Sequence, residues 1–351
     1  MTPRKDGVTV AICCHNSTRL LPATLRALQK QATDVPWEIL IIDNCSTDGT
    51  GDLARGLWQQ TSVPLRVVEE RRLGVANARK RAFQEANYEI VSFLDDDNHA
   101  APSWVQRAWE IMTAHPGIGA CGGRNMPDCE TDPPSWFVRH IDSYAVGSVQ
   151  PEAGDVTDTA GYLWGAGLTI RRSAWLELLE RGFRFTLDGR TGASLGSGED
   201  RELCLGLRIC GWHLWYDPSL VLHHHLPRER LQWRHLRELQ RGFGASTVAL
   251  DAYSTRAPGA LGSLWWWQVL SSQAKIGVHA LLAAPAFIRG QEGNRRVLRL
   301  DAARGRLSAL VKARGKYRDN IIRARYLLRV LPSEESQMVN EIDLRRAMED
   351  S

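Results

Sequence analysis

Three consecutive aspartates, Asp95, Asp96 and Asp97, directly follow the apolar run at residues 90–94. That run predicts a short buried strand, so the three carboxylates stand at a strand end. Neighbouring carboxylates repel one another, and a bound cation relieves the repulsion. Mg²⁺ is usually held by one or two carboxylates, water and substrate phosphate. The triplet therefore predicts a metal–phosphate site, although an acidic cap on the next helix is an equal alternative.

The elements that position this triplet alternate between strand and helix. Apolar runs at 8–13, 38–42, 64–68 and 118–121 predict further strands, and apolar residues at helical spacing predict the helices between them. This alternation is typical of parallel βαβ units, so we predict a doubly wound α/β fold. Ligands of such sheets bind beyond the carboxyl ends of the strands, where both Asp43 and Asp95 are expected.

The second half of the chain has a different pattern. Residues 124–161 are irregular, and a long irregular stretch is more often functional than idle. Strands are predicted at 163–170, 212–216 and 220–224, with helices opening at Ser173 and Glu199. After about residue 228 the chain is mainly helical. We place a domain boundary near residue 245, which separates residues 1–245 from a basic helical region at 246–351.

Composition excludes a disordered or disulfide-rich protein. The 351 residues are 43% hydrophobic and 24% charged, and the seven cysteines form no Cys-x-x-Cys pair. Residues 1–7 are polar and run into a strand without an apolar leader core, so we expect a cytoplasmic location. Residues 289–329 hold thirteen Lys and Arg against three Asp and Glu. That segment suggests an anionic surface as a partner, and no nucleic-acid recognition motif accompanies it.

Further charged residues stand at positions where a nucleotide could bind. Asp43 could accept hydrogen bonds from a nucleoside, and Arg79, at a loop-to-helix entry, could neutralise a diphosphate or pair with an aspartate. Glu199 and Asp200 open a helix, where they could also simply complement its dipole. In the triplet 223–225, strand alternation sends the side chain of His224 to the face opposite its neighbours.

The ordered set of motifs resembles family 2 glycosyltransferases, which have the GT-A fold. The resemblance covers about residues 7–240 and rests on segments 10–16, 38–49, 73–79, 93–98, 165–172, 198–200 and 216–224. It implies inverting transfer from a nucleotide-diphosphate sugar, with UDP-linked donors expected. It also implies Mn²⁺ or Mg²⁺ on Asp97 and His224, and Asp200 as general base with Glu199 beside it.

The resemblance also assigns the donor site. Its residues would be Cys14, His15, Asn16, Asp43, Arg79, Asp95 and Asp96. His15 stands where the family has an aromatic residue, so base stacking there is open. Either Asp95 or Asp96 could hold the ribose.

The acceptor would be a glycan, a lipid-linked molecule or a small molecule. Trp136, Tyr162 and Trp164 are candidates to contact it, because aromatic rings stack on sugars. The resemblance adds Gly167, in the segment that looks like the strand below the acceptor site. Buried packing is the alternative role for each tryptophan.

The tryptophan-rich stretch at 265–290 has two open interpretations. It could lie peripherally on the inner face of an anionic membrane, since tryptophans precede an arginine-rich helix. It could instead pack on the catalytic domain or form a homodimer contact.

Two other functions use similar residues. A metal-dependent phosphohydrolase or nuclease predicts two metal ions about 4 Å apart. A non-catalytic nucleotide-sugar-binding protein predicts binding without turnover.

Overall fold

The computed structural model describes residues 5–59, 62–187, 189, 198–253 and 265–328. The strands in these residues are β1 Lys5–Cys14, β2 Trp37–Asn44, β3 Leu65–Glu70, β4 Tyr88–Leu94, β5 Asn98–Ala100, β6 Ile118–Cys129, β7 Gly154–Asp155, β8 Thr169–Arg171 and β9 His213–Leu226. They form one sheet in the order β3-β2-β1-β4-β8-β6-β9-β5, and β7 also pairs with β9.

Helices flank this sheet. They are α1 Leu21–Leu28, α2 Thr50–Leu57, α3 Val75–Glu85, α4 Trp104–Ala114, α5 Arg172–Glu180, α6 Glu199–Ile209, α7 Trp233–Leu250, α8 Trp265–Ile288, α9 Arg295–Lys312 and α10 Tyr317–Leu328. Short 3₁₀ helices lie at Phe137–Tyr144, Arg228–Leu231 and Asp251–Tyr253.

Alternating side chains of the central strands supply two hydrophobic cores. In β1, Val10 and Ile12 face the core formed with α1, α2 and α4, whereas Ala11 faces the core formed with α3, α5 and α6. Strands buried on both faces read as continuous apolar runs, which explains why the sequence revealed them. β1 is parallel to β2 and β4, and β2 is parallel to β3. The predicted α/β class, with a mostly parallel sheet flanked by helices, is confirmed.

Three strand predictions need correction. The strand predicted at 163–170 is reduced to Thr169–Arg171, because Gly165 and Gly167 form a turn whose Gly167 has φ +79°. The two strands predicted at 212–216 and 220–224 are one strand, β9. Residues 124–129, predicted as irregular, continue β6, where β9 satisfies their backbone groups across a register shift.

The C-terminal helices pack against the sheet domain and against one another. Asp301 of α9 is fully buried and binds the guanidinium Nε atoms of two α7 arginines, Arg237 at 2.7 Å and Arg241 at 2.9 Å. Gly244 of α7 lies against the backbone of Ala302 so closely that a Cβ would collide with it. These contacts fix α7 on α9.

Residue 245, the proposed domain boundary, lies inside α7. Tyr253, Leu310 and Tyr317 share a hydrophobic core with residues of the sheet. Among the described helices, none has both the length and the apolar character needed to cross a membrane.

Candidate active site

The acidic triplet occupies the turn between β4 and β5. Backbone pairing then determines its neighbours, because Asn98 of β5 lies opposite His224 of β9. The Nε2 atom of His224 consequently lies 3.5 Å from Oδ1 of Asp97. Both side chains are buried, at 6% and 2% exposure. Residues 127 positions apart in sequence thus meet at the edge of the sheet.

Asp97 also forms an ion pair with Arg230, a residue that sequence analysis did not assign to the site. Nη1 of Arg230 donates to Oδ2 of Asp97 at 2.7 Å and lies 3.4 Å from Nε2 of His224. Burial lowers the pKa of Arg230, but the nearby charges of Asp97, Asp96 and Asp95 outweigh it and raise the pKa overall. Arg230 is therefore a permanent positive charge beside the triplet.

Asp96 is a partly buried carboxylate with a raised pKa. Burial, reinforced by repulsion from Asp97, raises its pKa to about 7. Its backbone carbonyl accepts a hydrogen bond from Thr24 at 2.6 Å, which ties the turn to α1. A second cation near this turn would therefore favour the fully ionised triplet.

The loop after β1 contributes the neighbouring wall. His15 donates from Nδ1 to the carbonyl of Asn44 at 2.8 Å. Asn16 adopts φ 55° and accepts from the backbone N–H of Thr47 at 2.8 Å. Cys14 is buried, and its burial raises the pKa of the thiol, which stays neutral. These contacts hold the loop rigidly against the loop after β2.

Arg79 of α3 is the cation at the centre of the site. It is 3% exposed, and its Nη1 lies 3.7 Å from Oε1 of Glu199. Burial lowers the pKa of Arg79, but the carboxylates of Glu199, Asp200 and Asp95 outweigh burial and raise it. Its buried Nη1 makes no hydrogen bond within the described part of the chain. That donor is therefore available to a ligand.

Asp200 lies in the first turn of α6, after Gly198 at φ 104°. Its Oδ2 accepts from the backbone N–H of Gly165 at 2.8 Å, and its Oδ1 accepts from that of Arg201 at 2.7 Å. A Cβ on residue 165 would lie 2.6 Å from Nη2 of Arg79 and 3.2 Å from Oδ2 of Asp200. Arg79 and Asp200 thus converge on one glycine.

A cavity of about 730 Å³ joins these groups, large enough for a small-molecule ligand. Most of the predicted site residues line it: Cys14, His15, Asn16, Arg79, Asp95, Asp96, Asp97, Trp164, Glu199, Asp200 and His224. Tyr162 also lines it, and the guanidinium of Arg201 lies over the Tyr162 ring at 4.8 Å from the ring centroid.

Three predicted residues do not line this cavity. Asp43 accepts a hydrogen bond from the backbone of Ser46, and its neighbour Asn44 takes the place at the cavity wall. Trp136 is buried and donates to Glu292 at 3.2 Å, so it packs the C-terminal helices against residues 137–144. Gly167 follows the wall residue Ala166, and a Cβ on it would meet Leu222 and Trp104.

Sequence reasoning missed Arg230, Tyr144 and the α7 residues Gln240 and Phe243, which also line the cavity. Tyr144 presents a buried hydroxyl with no hydrogen-bond partner among the described residues. The only sequence signal for Arg230 is its position six residues after His224, and Arg228 beside it is an equally plausible cation. Tyr144 falls in the stretch predicted to be irregular.

The residues at the triplet offer only a few side-chain ligands for a divalent ion. Within the described ranges, no group of three or more His, Cys, Asp or Glu side chains could hold a metal. Asp97 and His224 offer two ligand atoms, and the buried Nδ1 of His224 has no hydrogen-bond partner there. Mg²⁺ and related ions commonly take only one or two carboxylates and fill the rest of the shell with water and phosphate.

Comparison with known proteins gives a family match over just under half of the chain and similar proteins over more of it. Residues 9–175 match Glycosyl transferase family 2. The succinoglycan biosynthesis protein ExoM of Rhizobium meliloti is 25% identical over 311 residues, covering 87% of this chain and 93% of that protein. The glucosyl-dolichyl phosphate glucuronosyltransferase of Haloferax volcanii is 21% identical over 248 residues, covering 69% and 77%.

A solved structure supports the fold alone. The crystal structure of S. aureus TarS 1-349 in complex with UDP-GlcNAc superposes with a TM-score of 0.51 at 14% identity, covering 88% of this chain and 91% of that one. The family match and the curated relatives agree with one another. The chain is a glycosyltransferase with a GT-A type fold, and its residues 9–175 match family 2.

Proposed function

We propose that the protein is an inverting, metal-dependent glycosyltransferase that uses a nucleotide-diphosphate sugar, with UDP-linked donors expected. The acceptor would be a hydroxyl of a glycan, a lipid-linked molecule or a small molecule. One observation carries the proposal: Arg79 is buried among Asp95, Glu199 and Asp200 inside a single cavity. One cation thus links the triplet to the carboxylate at the start of α6.

The donor would bind along the walls formed by the loops after β1 and β4. His15 and Asn16 would face the nucleoside, together with Asp95 or Asp96. Asp43 would act through the loop it supports. The unbonded Nη1 of Arg79 and the guanidinium of Arg230 would neutralise the diphosphate. Arginine suits this role because its planar fork matches phosphate oxygens.

Asp97 and His224 would hold the metal ion, Mn²⁺ or Mg²⁺. An imidazole ligand suits a transition-metal ion better than Mg²⁺, and carboxylate and water suit both Mg²⁺ and Mn²⁺. When bound, the ion would act as a Lewis acid on the diphosphate leaving group. Asp97 would exchange its contact with Arg230 for this role, which would free the guanidinium to contact phosphate.

Asp200 would take the proton from the acceptor hydroxyl. The two backbone N–H groups that bind its oxygens keep the carboxylate in one orientation. Each carboxylate oxygen accepts more than one hydrogen bond, so lone pairs are left for the acceptor. A single base on the face opposite the leaving group implies inversion at the anomeric carbon. Tyr162 and Trp164 would pack on the acceptor sugar.

The test is the variant Asp200→Asn, with Asp52→Asn as the matched control, because Asp52 of α2 is exposed. The base contributes 10²- to 10⁴-fold to such a step, so we expect transfer to fall by about that factor. Thermal stabilisation by UDP-sugars with Mn²⁺ should persist in Asp200→Asn. Release of UDP from a panel of donors measures transfer, and NMR of the product gives the anomer. Normal transfer by Asp200→Asn would refute the assignment.

A further inference from the structure

Helix α8 has one face against the protein and one face in solvent. The inner face packs on α9: Ser272, Ala283 and Ala286 are buried, and the last two meet Val297 and Leu300. The outer face is largely apolar, interrupted by the exposed Gln273. Its large apolar side chains are 45–85% exposed: Trp266, Trp267, Leu270, Val278, Leu281, Leu282, Phe287 and Ile288.

The centre of the outer face carries no charge. At 100° per residue, Trp266, Leu270, Leu281 and Ile288 fall within about 60° of one another, the uncharged Gln273 lies at the margin of this stripe, and Lys275 lies on the far side of the helix. With a rise of about 1.5 Å per residue, the stripe from Trp266 to Ile288 runs for about 33 Å. Soluble proteins rarely expose a contiguous apolar surface of this kind unless it binds something.

Arginines from three different segments contact α8. The guanidinium of Arg314 lies 5.4 Å from the ring centroid of Trp265, and that of Arg237 lies 5.4 Å from the ring of Phe287. Arg296 reaches the carbonyl of Leu282 at 3.5 Å. Cations at the rim of an apolar face match the chemistry of an anionic headgroup layer above an acyl boundary.

We propose that the outer face of α8 lies on the surface of a bilayer containing anionic phospholipid. The stripe is parallel to the helix axis, so α8 would rest in the plane of the headgroups. Trp266 and Trp267 would sit at headgroup depth, where an amphipathic indole is favoured. Arg296 and Arg314 would contact phosphates around the edge, whereas Arg237 stays paired with Asp301.

This docking would set the position of the cavity relative to the lipid. α8 packs on α9, α9 is clamped to α7 through Asp301, and α7 lines the cavity with Gln240 and Phe243. The cavity would therefore stand two helices away from the bilayer. A lipid-linked acceptor could reach it in that arrangement, and this consequence, unlike the docking itself, rests on the proposed function.

The test uses the full chain and sedimentation with vesicles of phosphatidylcholine, with or without 25% phosphatidylglycerol (~100 nm diameter). The variant is Leu281→Gln with Ile288→Gln, since both side chains are strongly exposed and their loss should not affect folding. Val311→Gln is the matched control, because Val311 is a 57% exposed apolar residue of α9 rather than α8. Circular dichroism and thermal unfolding verify the fold of each protein.

We expect the wild type and Val311→Gln to bind the anionic vesicles, and the double variant to bind at least about tenfold more weakly. Arg296→Gln should weaken binding to anionic vesicles about fivefold and leave binding to neutral vesicles unchanged. Absence of vesicle binding by the wild type, or equal binding by the double variant, would overturn the proposal. So would a dimer in sedimentation velocity that the double variant abolishes, since the face would then be an interface between copies.

Discussion

Replacing Arg79 by glutamine tests whether the central cation holds the site together. The Arg79 side chain is 4% exposed, it lies 3.7 Å from Glu199, and its guanidinium is 5.5 Å from the ring centroid of Phe93. The change removes the positive charge and leaves the buried carboxylate of Glu199 without its counter-charge. Arg81, two residues later in α3, is the control, because its side chain is 38% exposed and binds Glu85 at 3.0 Å on the surface.

The two substitutions should lower the free energy of unfolding by clearly different amounts. Removing one partner of a buried ion pair costs about 3–5 kcal/mol, because the other charge stays buried and uncompensated. The cavity admits water to the carboxylates, so we expect the lower end, about 3 kcal/mol, for Arg79→Gln. An exposed pair contributes at most about 1 kcal/mol, which bounds the cost of Arg81→Gln.

The assay is urea unfolding at neutral pH, followed by far-ultraviolet circular dichroism. Both variants should keep the slope of the wild type, so that a shift in midpoint reports free energy. A loss in Arg79→Gln within 1 kcal/mol of the loss in Arg81→Gln would refute the reasoning, because the buried cation would then contribute no more than a surface one. Arg79→Lys, which keeps the charge, should recover part of the loss.

Three further predictions follow from contacts outside this pair. Gly244→Ala should destabilise the protein by about 1–3 kcal/mol, because the new Cβ meets the backbone of α9. Gly277→Ala, in open space in α8, should instead stabilise it by up to about 1 kcal/mol, as alanine normally does in a helix. Shifts of the urea midpoint in opposite directions from the wild type would confirm this, and shifts in the same direction would contradict it. Hydrogen bonds from Thr50 and Thr18 outweigh partial burial and lower the pKa of Asp48 to about 2. Its stabilising contribution should therefore be complete above about pH 4, the unfolded value, and fade as pH falls towards 2. The difference in unfolding free energy between wild type and Asp48→Asn should accordingly shrink from pH 5 to pH 3, and a constant difference would exclude the assignment. Arg230→Gln should weaken UDP binding with Mn²⁺ about tenfold in calorimetry; unchanged affinity would remove its phosphate role.

Much of the fold could be predicted because its signals are local. The apolar runs of β1, β2 and β4 are continuous, since both of their faces are buried, and the helices between them bury one stripe each. The turn at Gly165–Gly167 and the extension of β6 could not be predicted. Both depend on a partner strand, which supplies hydrogen bonds that the local sequence does not reveal.

Some residues of the candidate site could likewise be predicted from the sequence, and others could not. Asp95, Asp97 and Asp200 could be found because they stand at strand and helix ends, where the residue type itself is informative. Trp136 could not be assigned from sequence, because buried packing and sugar stacking select the same side chain. Its contact with Glu292 and Gly293, more than 150 residues away, determines its place.

The sequence by itself determined the α/β architecture, the acidic triplet at the end of β4 and the order of the motifs, because each depends on neighbours within a few residues. Only the tertiary structure decided that Arg79 joins the triplet to Asp200, that Arg230 lies against Asp97, and that the outer face of α8 stays uncovered by the described residues. Those outcomes depend on strand register and helix packing, which bring together side chains from distant parts of the chain. Charge at a single position is visible in the sequence, but the counter-charge that meets it is a property of the fold.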